Sequence, residues 1–85
     1  MEIIKWDTVT QSSMTPVAFL EQCLEDISKE EMVRIIQSGG FQLDGQVIKD
    51  PNGVLEFKVG DTVLFYQDIF KDNKTCLQFT IVSTQ

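Results

Sequence analysis

Residues 28 to 48, Ser-Lys-Glu-Glu-Met-Val-Arg-Ile-Ile-Gln-Ser-Gly-Gly-Phe-Gln-Leu-Asp-Gly-Gln-Val-Ile, restrict the fold more than any other stretch, because three local signals follow one another there without a gap. Ser28 and Glu31 have capping-box spacing. The Ser28 hydroxyl can take the Glu31 amide while the Glu31 carboxylate returns to the Ser28 amide, satisfying two donors that a helix start leaves over. Met32, Val33, Ile35 and Ile36 then recur at helical spacing, and Gly39-Gly40 can supply the positive φ that closes a helix without a Cβ penalty. This predicts a helix of about three turns. Past the glycines, Phe41-Gln42-Leu43 and Gln46-Val47-Ile48 flank Asp44-Gly45, a dipeptide that tolerates positive φ and suits the type I′ turn matching strand twist. In such a hairpin Phe41 faces Ile48 and Leu43 faces Gln46, so Phe41, Leu43 and Ile48 share the face able to cover the helix.

The stretch resembles the alpha-L motif of the S-four type RNA-binding domain, the module named after the fourth protein of the small ribosomal subunit. It is similar to the C-terminal tRNA-binding domain of bacterial-type tyrosyl-tRNA synthetases. Ser28, Lys29, Glu31, Arg34, Ile35, Ile36, Gly39, Phe41, Leu43, Gly45, Ile48, Pro51, Gly60 and Asp61 carry the resemblance in order and at closely similar spacing, over roughly residues 16 to 66. Three positions depart from the family pattern: Val33 stands first in the expected basic pair, Met32 replaces a small residue, and Asp44 replaces the usual Asn.

The resemblance implies a module that docks structured RNA, tRNA or rRNA, through its second helix and the following hairpin, either free-standing or as part of a tyrosyl-tRNA synthetase-like protein. Carried onto this chain, the RNA-facing set is Lys29, Arg34, Gln37, Gln42, Gln46 and Lys49. Each has a plainer reading. Arg34 lies one turn after Glu30, where an exposed pair contributes only a few tenths of a kcal/mol, about 0.2 to 0.5. The glutamines can donate to phosphate or sugar oxygens, yet polar groups on a solvent face need no ligand to explain them. Lys29 sits against the macrodipole at a helix start, which a ligand explains better than stability does.

Composition pulls the other way. Lys+Arg 7 against Asp+Glu 13 gives a formal net charge of −6, whereas a protein that tracks phosphates shows a basic face. The alternative reading is therefore an acidic domain of the same fold that has lost its RNA face and acts as a protein-protein interaction module. Trp6 and Tyr66 could stack on unpaired bases, although in so small a chain an aromatic is more often core or interface. With no histidine, no carboxylate pair that spacing assigns to a pocket, and no Lys-Ser/Thr after Gly39-Gly40, catalysis, metal and cofactors are not expected. Cys23 and Cys76, far apart and without Cys-x-x-Cys spacing, read as buried reduced thiols.

The 85 residues are expected to form one domain, 1 to 85. No apolar run approaches the ~20 residues that span a bilayer, and the first residues lack the order of a secretory signal, so a cytoplasmic protein without membrane contact is expected. Along the chain, Glu2 to Asp7 reads as a strand, and Thr8 to Thr15 as a polar loop. A helix from Pro16, capped by Thr15, carries the stripe Val17, Leu20, Leu24 and Ile27, widened by Phe19 and Cys23. After the hairpin come a turn at 49 to 53, an extended piece at 54 to 57, a strand at 62 to 66 with Val63 and Phe65 inward, a turn at 71 to 74, and a strand at 75 to 82 with Leu77, Phe79 and Ile81 on one face. The expected class is α+β: two short helices packed on a small, mostly antiparallel sheet of four to five strands. Ile35, Ile36, Phe41, Leu43, Phe57, Val63, Phe65 and Phe79 should supply most of the core.

Overall fold

The computed structural model describes residues 2 to 67 and 75 to 85. The elements are β1 (Glu2–Thr10), β2 (Ser13–Met14), α1 (Pro16–Cys23), α2 (Lys29–Gln37), β3 (Phe41–Leu43), β4 (Gln46–Val47), β5 (Leu55–Glu56), β6 (Thr62–Tyr66) and β7 (Thr75–Thr84). The turn expected at 71 to 74 lies outside the described residues. Five strands form one sheet in the order β1-β7-β6-β3-β4, antiparallel at every contact except β1 with β7, which run parallel. A separate antiparallel pair joins β2 to β5. Two helices packed on a mostly antiparallel sheet are the α+β architecture that the sequence predicts.

The helix α2 forms where expected, with the Ser28 half of the capping box. The Ser28 hydroxyl, on an extended residue at φ −69° and ψ 154°, accepts from the Glu31 amide at 3.2 Å. At the other end Gly39 takes φ 89°, its N–H donates to the Ile36 carbonyl at 3.1 Å, and the Gly40 N–H donates to Ile35 at 2.9 Å. These two bonds are the Schellman pattern, so the last carbonyls are satisfied and the chain leaves α2 aimed at the sheet. Asp44 at φ 51° and Gly45 at φ 84° make the turn, with both central residues left-handed as type I′ requires.

The hairpin is braced at both ends against β6. At its base the Tyr66 amide donates to the Gly40 carbonyl at 2.8 Å. At its tip the Asp44 amide donates to the Thr62 carbonyl at 2.9 Å, and the Asp44 carboxylate accepts the Thr62 amide at 2.8 Å. A two-stranded hairpin is marginal by itself, so this clasp, in which Asp44 both donates to and accepts from Thr62, holds its register on the sheet.

The core lies between the helices and the sheet. Val17, Phe19 and Leu20 from α1 and Met32, Ile35 and Ile36 from α2 pack on Phe41, Phe57, Val63, Phe65, Leu77, Phe79 and Ile81. Phe19 is its hub: the ring stacks on Phe57 at 5.0 Å and meets Phe41 and Phe79 edge-on at 6.4 and 5.6 Å. Each large side chain so buried contributes ~1.5 to 3 kcal/mol. Of the expected core residues only Leu43 falls short of full burial, packing against the cluster from the hairpin.

Three expectations need correction. The polar stretch from Thr8 is not a loop: β1 runs on to Thr10, and Ser13-Met14 forms β2 against Glu56 and Leu55. Thr8-Val9-Thr10 is β-branched and follows the partner strand past a bulge, register passing from Thr8 opposite Ile81 to Val9 opposite Ser83. That partner lies at the far end of the chain, so no local pattern announces it. For the same reason the last strand continues to Thr84, two residues beyond the expected end. Helix α1 stops at Cys23, and Leu24, its cap at φ −127° and ψ 132°, joins Ile27 outside the helix, half-buried on the core. An extended connection lets Ser28 take the non-helical geometry its capping role needs.

No Cβ neighbour lies within 4 Å of Gly45, so a side chain there meets backbone strain alone. Gly45→Val is expected to lower stability by about 1 to 2 kcal/mol. Asp44→Ala should cost about 1 kcal/mol, while Asp44→Asn, which keeps an acceptor for Thr62, should cost less. Denaturant midpoints at unchanged m value check both, and coincidence of all three with the parent would refute the brace.

Candidate nucleic-acid interface

Helix α2 and the hairpin position the nominated residues, and they separate them into subsets. Lys29 opens α2, Arg34 lies in its middle and Gln37 ends it, all exposed. At about 100° per residue Lys29 stands about 140° around the helix from Arg34, whereas Glu30, Glu31 and Gln37 lie within about 60° of Arg34. Arg34 thus shares its face with two carboxylates and a glutamine. Met32, Ile35 and Ile36 are turned to the core, and Val33, in the place of a basic residue, is half-buried against it.

The hairpin divides the remaining three. Phe41 is fully buried and Leu43 packs on the core, so alternation sends Gln42, opposite Leu64 and Val47, to the sheet face away from the helices. Gln46 pairs with Leu43 and is exposed on the helix side. Gln42 and Gln46 therefore cannot act together on one ligand surface. Lys49 follows β4, and its Cε and the Val47 Cγ1 each lie 3.8 Å from the position a Cβ on Gly39 would take, which sets the lysine beside the C-terminal end of α2. That end carries partial negative charge, so helix chemistry alone favours a cation there. Lys29 and Lys49 mark the two ends of α2, whose nine residues span about 13 Å at 1.5 Å per residue.

A concavity away from α2 and the hairpin was not foreseen. It is a cleft of about 400 Å³ between β1 and the α1–α2 connection, lined by Ile4, Trp6, Cys23, Leu24, Ile27 and Leu77 together with Gln22, Glu25, Asp26 and Gln67. A smaller recess of about 250 Å³ continues it past Trp6, Asp7 and Phe79. The Trp6 indole stacks on Phe79 at 5.5 Å and 15°, yet Trp6 remains 44 % exposed. The only sequence signal was an aromatic in a strand, and the cleft around it needs the parallel pairing of the chain ends.

Among the described residues no three His, Cys, Asp or Glu groups cluster as metal ligands, and no helix is long and apolar enough to cross a membrane. No protein-family model matches the chain, and no curated protein matches it either.

Both cysteines are free thiols, Cys23 half-buried beside the Thr8 hydroxyl at 3.7 Å and Cys76 buried on β7. Burial pushes both thiols above their ordinary value, with hydrogen bonds to Thr8 for Cys23 and to Phe65 and Tyr66 for Cys76 partly opposing it. The folded state thus holds these protons more tightly than the unfolded chain. Their contribution to stability is complete below about pH 9 and lost as pH rises through the folded values. At mildly alkaline pH both should react slowly with a thiol reagent, Cys23 before Cys76, and at the free-thiol rate in denaturant. Rapid native labelling of Cys76 would contradict its placement.

Proposed function

We propose that the chain is a non-catalytic RNA-binding module of the S-four type that engages structured RNA along α2 and the hairpin, weakly on its own. The observation that carries this reading is the position of Lys49. The hairpin folds its side chain over the end of α2, so that lysines twenty positions apart in sequence bracket one helix, with Arg34 between them. The three cations lie along about 13 Å of helix axis but not on one face, since Lys29 stands about 140° around α2 from Arg34, so a nucleic-acid backbone would cross the helix obliquely to meet all three. The resemblance to the alpha-L motif supports the same surface, since the capped helix, the two glycines and the Asp44-Gly45 turn stand in the family's order. Base-reading groups are few: Gln37 and Gln46 remain on the helix side, and Gln42 does not.

A second reading, the same fold serving a protein partner, is favoured by Glu30 and Glu31 beside Arg34. RNA titration separates the two. With about three phosphates neutralised, log affinity should fall with log salt at a slope of about −2 to −3, from a dissociation constant near the ~10⁻⁴ to 10⁻⁶ M of non-specific association. Useful affinity would then come from a second RNA-binding domain on the same protein. Low-salt titration with a tRNA-like hairpin should shift amides of residues 28 to 49, and Arg34→Glu and Lys49→Glu should each weaken binding about tenfold or more. Absence of shifts at low salt, where attraction is least screened, would reject RNA binding in favour of the protein reading.

A further inference from the structure

The two edges of the sheet differ. One edge, β4, is two residues long, and the other, β1, is nine and among the described residues pairs only with β7. At about 3.3 Å per residue β1 is about 30 Å long. An edge of that length, with no proline, is a template for another strand. Its free groups can be assigned. The Thr10 carbonyl accepts from the Gln85 amide on the β7 side, and the Val9 carbonyl accepts from the Gln22 side chain at 2.6 Å. By two-residue alternation Ile3, Lys5, Asp7 and Val9 turn their N–H and C=O away from β7. Gln22 occupies the Val9 position, and among the described residues no strand lies beyond Ile3, Lys5 and Asp7 beside the Trp6 cleft.

We propose that this edge and its cleft receive an extended basic segment of a partner protein, added as a further strand on β1. Charge selects the occupant. The charged residues lining the cleft are Glu25 and Asp26, both acidic, within a chain of net charge −6, while Lys5 and Asp7 on the edge itself offset one another. A second copy of this chain, or a nucleic acid, would bring like charge to that rim, whereas an alternating Lys/Arg and apolar segment would bring the opposite charge. Main-chain bonds to Ile3, Lys5 and Asp7 would supply affinity, and every other side chain would reach the cleft, where the outer half of the Trp6 ring offers an apolar seat. This site lies apart from the α2 surface and does not depend on RNA binding there.

The probe is an eight-residue peptide alternating lysine with valine and leucine, set against the same peptide with glutamate for lysine. Trp6, the single tryptophan, reports by fluorescence, and hydrogen exchange reports on the edge amides. The basic peptide should shift Trp6 emission saturably, slow exchange at Ile3, Lys5 and Asp7 at least tenfold, and weaken as salt rises. The acidic peptide should do neither. Glu25→Lys and Asp26→Lys, exposed substitutions outside the helices, should each weaken binding at least threefold in a protein that still folds. Binding with unprotected edge amides, or equal binding of both peptides, would overturn the proposal. So would edge amides already protected in a concentration-dependent dimer, which would identify the occupant as a second copy. Emission shifts produced by RNA would assign the cleft to nucleic acid instead.

Discussion

The hand-over from α2 to β3 is the constraint from which the rest of the structure follows. Gly39 at φ 89° closes the helix with two backbone bonds and redirects the chain within one residue, so that Phe41 enters the core one position after Gly40. Any other residue at Gly39 would store left-handed strain there. Because Gly40 and Asp44 are both bonded to β6, the hairpin cannot slide, and a slip of one residue would exchange Phe41 with Gln42 between core and solvent. The placement of Lys49 at the end of α2 is a consequence of that register.

Burial leaves α2 little freedom to be a basic helix. Met32, Ile35 and Ile36 must face the sheet, and Val33 leans on the core beside them, which confines polar residues to a narrow face. That face holds Arg34 between Glu30 and Glu31. Carboxylates in a first helical turn complement the macrodipole, so the acids that dilute a positive surface also stabilise the helix that would display it. The same two turns therefore carry both the acids that stabilise the helix and the one arginine on its exposed face.

The chain ends impose a different kind of order. Parallel pairing of β1 with β7 joins residues some seventy positions apart, and its loop-closure cost must be met by burial and the ladder together. Phe79 contributes to both sides, meeting Phe19 edge-on within the core and Trp6 as a stack on its flank. The strand so attached becomes the open edge of the sheet. The core is thereby given a surface that its central helix and hairpin do not provide.

Much of the centre was determined by sequence alone, because its signals are local: a cap read over three residues, apolar spacing over two turns, a left-handed dipeptide between alternating strands. The inward faces of β6 and β7, with Val63, Phe65, Leu77, Phe79 and Ile81, were legible for the same reason, since period-two alternation is written in consecutive residues. Tertiary structure decided the rest. Thr8-Val9-Thr10 became strand only because β7 was there to pair with, and α1 ended at Cys23 because Leu24 and Ile27 could reach the core from an extended connection. Of the nominated interface, exposure of Lys29, Arg34 and Gln37 followed from helix periodicity, but the parting of Gln42 from Gln46, the reach of Lys49 to Gly39 and the cleft at Trp6 depended on how elements meet. Periodicity fixes which side of its own element a residue occupies, and only packing between distant elements decides which residues become neighbours.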